Sequence, residues 1–280
     1  MVNQHIENII SNKKNIFLRS WPSNNDPTYN IIIIHGLGEH SGRYKEFASF
    51  FMKKNIGVFS FDLIGHGKSD GLKGHISNIK DFTNNIEDIL IEVRRRYINT
   101  PIILFGHSLG GCLALNYLIE RKSKEISLAI ISSAWIETEI QIPKYLVIIQ
   151  RVMHTLFPKV RISNRLDAKD LSKDIKIVDK YKNDPLVHDK ISLNLLSEIN
   201  KTIKKIKNKN YNIEIPVLII HGKKDKIISY KGSKLIHKKI KNSKLKLYDN
   251  VYHEPHNDNE RKEILEYFYD FITNHKKEYF

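Results

Sequence analysis

The sequence is poor in several things at once. It has a single cysteine, Cys112, among 280 residues. That excludes an internal disulfide framework and a cysteine-based zinc site, and it fits a reducing compartment. It has no long apolar run. Stretches such as Ile31–Ile34 and Tyr145–Gln150 stop far short of the ~20 residues a membrane span needs. The first residues, MVNQHIENIISNKK, contain no apolar signal core or small-residue cleavage site, so a cytoplasmic protein is expected. Internal repeats are lacking. Arginine is scarce too: of 46 basic residues only 10 are Arg, and Arg is the side chain that reads base edges best. With no accompanying motif, the charge does not point to nucleic acid.

What the chain has in excess is Lys, Ile and Asn: 36, 44 and 25 residues. These are the residues favoured by AT-rich coding sequence. The formal charge of +15 thus has two readings, compositional drift or a functional basic surface. A diffuse lysine surface still suffices for attraction to an anionic membrane. The hydrophobic share, 41 %, supports a large core and excludes a disordered chain.

Short apolar runs alternate with helical patterns. Ile16–Trp21, Tyr29–Ile34, Gly57–Asp62, Pro101–Phe105, Ile126–Ser132, Val217–Ile220 and Lys244–Tyr248 read as strands. Tyr44–Lys54, Ile79–Tyr97, Leu109–Arg121, Tyr230–Ile240 and Arg261–Thr273 read as helices. Such alternation predicts an α/β fold with a mostly parallel sheet covered by helices on both faces. The rhythm breaks over 135–210, which contains no convincing strand. That stretch is expected to be a helical cap over the strand ends of a core formed by 1–134 and 211–280. Lys201–Asn210 reads as a solvated helix face or loop.

The sharpest motif is Gly106-His107-Ser108-Leu109-Gly110-Gly111. It follows an apolar strand and opens a helix, the setting of a nucleophile elbow. The helix N-terminus behind Ser108 offers backbone donors to developing negative charge. A nucleophilic serine needs a base, and the base needs an orienting acid. Asp225, just past the strand Val217–Ile220, is the first candidate acid, and Asp249 the runner-up. His253 and His256 both follow the last strand, and periodicity does not choose between them. The oxyanion donors are expected at the Leu109 N–H and, from the loop His35-Gly36-Leu37-Gly38, the Leu37 N–H. Neither Gly36/Gly38/Gly42 nor Gly65/Gly67/Gly71 has dinucleotide spacing. His107 is expected to point away from the nucleophile, and Cys112 to be a buried small hydrophobe.

HGLGEHSGRY (35–44), FDLIGHGKSDG (61–71), GHSLGG (106–111), NDPL (183–186), HGKKD (221–225) and YHEPH (252–256) together resemble the monoacylglycerol lipase and lysophospholipase family of α/β-hydrolases. The resemblance runs in family order from residue 35 to 256. It implies that His253 is the catalytic histidine. It implies that Glu39, Arg43 and His256 lie near the polar head group, although an ion pair bracing the loop is an equal reading of Glu39 and Arg43. For His256 the equal alternative is a surface residue at a helix start.

The expected activity is thus serine carboxylic-ester hydrolysis of single-chain acyl lipids, monoacylglycerol or lysophospholipid, without metal or cofactor. The alternatives are a non-catalytic lipid-binding protein on the same fold, or a broad esterase, thioesterase or acyltransferase. The apolar stripe Ile142, Leu146, Ile149, Val152, Met153 and Leu156, with Lys144, Arg151 and Lys159 nearby, adds an expectation of peripheral membrane contact through the cap. Head group, acyl length and oligomeric state are not readable from these residues.

Overall fold

The structure, a computed structural model, describes residues 4–11, 13–23, 26–121, 125–139, 152–209 and 212–275. In chain order the strands are β1 (His5–Ser11), β2 (Lys14–Trp21), β3 (Tyr29–Ile34), β4 (Ile56–Phe61), β5 (Ile102–His107), β6 (Ile126–Ser132), β7 (Arg161–Ser163), β8 (Lys190–Ser192), β9 (Val217–Gly222) and β10 (Ser243–Tyr248). The helices are α1 (Lys45–Met52), α2 (Lys80–Arg96), α3 (Leu109–Arg121), α4 (Ile175–Lys182), α5 (Leu193–Asn208), α6 (Tyr230–Lys239) and α7 (Arg261–Asn274).

Eight strands form one sheet in the order β1-β2-β4-β3-β5-β6-β9-β10. β1–β2 and β2–β4 are antiparallel, and every other pair is parallel. Strand side chains alternate between faces, so each apolar run feeds two cores. Ile32 and Ile34 of β3, with Leu104 of β5 and Ile219 of β9, join Phe82 and Ile86 of α2 and Leu113 and Tyr117 of α3. Ile31 and Ile33, with Phe105 and Ile220, join Phe47 and Phe51 of α1 and Phe268 of α7 on the opposite face. This two-sided burial is why the strands read as continuous apolar runs.

β3 pairs with β4 on one side and β5 on the other. The chain therefore changes winding direction between β3 and β5. Their C-terminal ends lie together, with Ile34 opposite Gly106. Open α/β sheets form crevices at such a switch point. The loop HGLG and the GHSLGG turn leave the sheet side by side there.

The structure departs from the sequence reading at β1 and within 135–210, and extends it at α5. β1 has no counterpart among the expected strands. It is an edge strand with Ile6 and Ile10 exposed, so no buried face marked it. The stretch 135–210 contains two strands after all: β7 and β8 form a small antiparallel sheet. Each is three residues long, and all of β7 is exposed, so neither carries apolar alternation. Finally, α5 is a core helix. Leu195, Ile199 and Ile206, at helical spacing, pack into the same cluster as Leu113 of α3. The lysine-rich tract around residue 204 is only its polar face. Of the expected apolar stripe, Ile142, Leu146 and Ile149 lie outside the described residues, as do Lys144 and Arg151.

Candidate active site

Three elements converge at the C-terminal edge of the sheet. β5 runs into Ser108, which takes φ = 54°, and α3 starts at the next residue. A left-handed residue between strand and helix makes a turn sharp enough to lift the side chain above the sheet. The tightness demands glycine on either side. A Cβ on Gly106 would come within 2.5 Å of the Gly110 oxygen, and one on Gly110 would overlap the Ile34 carbonyl. The turn is pinned by its own backbone: Ser108 N–H donates to Ser132 O (3.0 Å), and Ser108 O accepts from Trp135 N–H (2.9 Å).

His253 follows β10 on a loop. Its Nδ1–H donates to Asp225 Oδ2 at 2.7 Å, and its Nε2 lies 3.0 Å from Ser108 Oγ. The cap holds this loop: Glu254 N–H donates to Leu171 O at 2.8 Å. Asp225 sits on the turn after β9. Its Oδ1 accepts from the Ile227 and Ile228 N–H groups at 2.8 and 2.9 Å. Ser108, Asp225 and His253, widely separated in sequence, thus form one hydrogen-bonded line, and all three are buried. Asp249 is not in it. It is an exposed residue paired with Lys223.

Charge follows this geometry. Burial alone pushes the His253 imidazole down; the Asp225 charge and hydrogen bond outweigh burial and leave its pKa above 6.5. Burial pushes the Asp225 carboxyl up, but the His253 charge and the imidazole hydrogen bonds hold it well below the usual carboxylate range.

The loop after β3 lies against the nucleophile. A Cβ on Gly36 would stand 3.3 Å from Ser108 Cβ. Leu37, half-buried, is the next residue. Leu109 opens α3, where the first N–H groups lack intrahelical acceptors.

Glu39 and Arg43 are turned into each other. Arg43 Nη1 bonds Glu39 Oε2 at 2.6 Å, while Nη1 and Nη2 grip Glu254 at 2.7 and 2.8 Å. Glu39 Oε1 accepts from Gly36 N–H (2.6 Å) and Tyr44 O–H (3.0 Å). Burial pushes the Glu39 carboxyl up, but the Arg43 charge prevails and brings it to about 2. The pair therefore braces the Gly36–Leu37 turn. Glu254 was not singled out from the sequence; its place in YHEPH was the available signal.

His256 is no surface residue. It is 2 % exposed, stacked on Tyr44 with ring centroids 5.1 Å apart. Neither ring nitrogen has a hydrogen-bond partner among the described residues. Burial pushes its pKa down to about 4. His107 does not point away. Its ring lies 4.9 Å from that of His253 and 4.8 Å from that of His256. Strand alternation puts His107 on the same face as Phe105, and the 253–257 loop folds over that face. Cys112 is fully buried, and burial raises its thiol to about 12.

Cap and core are joined through two of the family-like motifs. His40 Nε2 meets Asp184 Oδ2 at 2.8 Å, and His188 N–H donates to Gly38 O at 2.9 Å. A cavity of about 860 Å³ opens on the cap between Arg161, Leu166, Tyr181 and His188. Among its described lining residues are none of the Ser108 line, so hydrogen-bond geometry, not cavity size, locates the chemistry.

The chain is similar to known proteins in sequence and in fold. The chain is 34 % identical over 267 residues to an uncharacterized abhydrolase domain-containing protein of Dictyostelium discoideum, a match covering 94 % of this chain and 28 % of that longer protein. It is 29 % identical to a monoacylglycerol lipase of Mycolicibacterium smegmatis, covering 91 % of each. The crystal structure of Paleococcus ferrophilus monoacylglycerol lipase superposes with a TM-score of 0.80 at 29 % identity, covering 93 % of this chain and 99 % of that one. A family profile described as serine aminopeptidase S33 matches residues 25–260. The chain belongs to that hydrolase family and has the α/β-hydrolase fold of its monoacylglycerol-lipase-like members.

Proposed function

We propose that the chain is a serine carboxylic-ester hydrolase of single-chain acyl lipids. The observation that carries this is the line Ser108 Oγ–His253–Asp225, with both contacts within hydrogen-bond reach. Similarity to monoacylglycerol lipases supports the lipid ester as substrate. His253 Nε2 takes the Ser108 hydroxyl proton as Oγ attacks the ester carbonyl carbon. The oxyanion is held by the Leu37 and Leu109 N–H groups. Collapse expels the alcohol, which leaves with the proton from His253. Water, deprotonated by the same nitrogen, then attacks the acyl-enzyme. The fatty acid departs and the proton returns to Ser108. Asp225 keeps the imidazole in the tautomer with Nδ1–H and stabilises the imidazolium.

Glu39 and Arg43 act beneath the oxyanion loop and shape the head-group end. His256, whose two ring nitrogens have no partner among the described residues and which lies beside the line, is the better fit for a polar head group. The described end of the cap adds a membrane-facing surface. Val152, Leu156, Phe157 and Val160 are exposed apolar side chains with Lys159 among them, a composition suited to an anionic interface.

A turnover panel of monoacylglycerols, lysophospholipids and aminoacyl peptides tests the reading. Ester turnover with glycerol or phosphodiester head groups is expected. Turnover confined to peptides would instead place the chain with the aminopeptidases of its family description.

A further inference from the structure

We infer that His221 is a positioning residue for the triad acid: it supplies the fourth hydrogen bond on the Asp225 carboxylate and fixes the oxygen presented to His253. The inference rests on the triad assignment above and goes beyond it, because His221 touches neither substrate nor nucleophile.

An ionised carboxylate has about four acceptor positions. On Asp225 the two backbone donors fill Oδ1, from Ile227 at 2.8 Å and Ile228 at 2.9 Å. On Oδ2 two imidazoles meet, His253 Nδ1 at 2.7 Å and His221 Nε2 at 3.0 Å. His221 Nε2 also lies 3.1 Å from the Ile228 carbonyl. Two acceptors face that nitrogen, so it carries the proton. The other nitrogen, Nδ1, is 2.7 Å from Ser233 Oγ, whose hydroxyl donates to it. One neutral tautomer satisfies every group in the chain Ser233–His221–Asp225–His253–Ser108.

Location gives this chain its purpose. Asp225 itself is on a turn, and a turn alone is a poor fixture for a catalytic group. His221 is in β9 and Ser233 in α6, and both are essentially unexposed. Through them the carboxylate is tied to the sheet and to a helix. Removal of the His221 donor leaves Oδ2 with one acceptor position empty inside the protein and with His253 as its one remaining donor, so that oxygen is less firmly placed. The His253 ring would then lose its fixed partner. Small displacements of catalytic groups cost on the order of 10²-fold in rate.

The test uses the full chain in four variants, with ester turnover and thermal melting measured on each. His221→Phe keeps a planar aromatic ring, somewhat larger than imidazole, and removes the donor. It is expected to lower kcat by roughly 10- to 100-fold with KM within about 2-fold, the scale of loss for a small misplacement of a catalytic group. His221→Gln places an amide N–H near the Nε2 position and should recover most of that loss. Ser233→Ala should fall between wild type and His221→Phe. A folded His221→Phe with wild-type kcat, a loss lying wholly in KM, or equal damage in Phe and Gln variants overturns the inference. If His221→Phe does not fold, wild-type kcat in both His221→Gln and Ser233→Ala overturns it. Ser108→Ala separates the two readings. Activity surviving in Ser108→Ala refutes the triad itself, whereas an inactive Ser108→Ala beside an unimpaired His221→Phe refutes only the positioning role.

Discussion

Arg43 and Glu254 stand 211 residues apart in the chain and meet through two parallel hydrogen bonds of 2.7 and 2.8 Å. The fork ties the loop after β3 to the residue that follows His253. It therefore couples the two sides of Ser108: the Gly36–Leu37 turn, through Glu39, and His253, through its own neighbour. A buried bidentate pair of this kind is geometrically specific, and it is unforgiving of losing one partner.

Arg43→Met would leave two buried carboxylates, Glu39 and Glu254, without their cation. Destabilisation of about 3–5 kcal/mol is expected, the range for breaking a buried ion pair. Urea unfolding followed by fluorescence measures it. A change below about 1 kcal/mol would mean that the pair is as weak as an exposed one.

Ser108→Ala should lower ester hydrolysis by at least ~10³-fold, and His253→Ala by a similar factor, because members of one relay fail together. Melting temperatures should stay near wild type. Labelling by a fluorophosphonate probe should disappear in the serine variant. A purified Ser108→Ala protein that is still labelled would place the nucleophile elsewhere.

The pH profile follows from the shifted groups. His253 must be neutral to accept the Ser108 proton, and its pKa is raised above 6.5. Activity should therefore fall as pH drops through a midpoint above 6.5, and not at the lower value of a free imidazole with no anion beside it. Asp225→Asn removes the charge that raises His253. The midpoint should move to lower pH while the maximal rate falls by roughly 10⁴-fold. A midpoint that stays in place would show that Asp225 does not set the His253 charge.

His256→Ala should mainly raise KM for lipids with a polar head group and leave kcat within about 10-fold. With a pKa near 4, His256 is neutral throughout the working range, so this KM effect should not vary between pH 6 and 8. Loss of probe labelling in His256→Ala, but not in His253→Ala, would reverse the two histidines.

Membrane contact is testable by co-sedimentation with anionic and neutral vesicles. Leu156→Asp and Phe157→Asp put charge on the exposed apolar end of the cap and should reduce binding to anionic vesicles. Added salt should reduce it as well, since each surface lysine contributes only about 1 kcal/mol and is screened. Binding indifferent to both changes would remove the cap from membrane contact.

The fold and the candidate site are largely legible in the sequence because the turn at Ser108 is written locally. The elbow needs glycine at 106 and 110 for steric reasons, so GHSLGG is visible without a fold. β3, β5 and β9 are buried on both faces, and uninterrupted Ile, Leu and Val announce that. What escaped depended on partners distant in sequence. His221 reads only as the first residue of HGKKD until α6 brings Ser233 to its far side. Glu254 reads as a loop carboxylate until Arg43 is opposite it. His107 was misdirected because strand alternation gives its face but not what folds over that face. For α5 the lysines mark the solvated face, while the buried face, Leu195, Ile199 and Ile206, begins before the lysine-rich tract and is spread through it.

The placing of β6 between β5 and β9 has a consequence for synthesis. On the ribosome, β5 and β6 are made long before β9, which begins at Val217. At 5–20 residues per second the intervening stretch takes roughly 4–17 s. For that interval Ile126–Ser132 is an apolar strand with one unpaired edge, a template for pairing with another nascent chain. Cellular yield should therefore respond to chaperone supply and to codon choice between β6 and β9 more than to any substitution at Ser108.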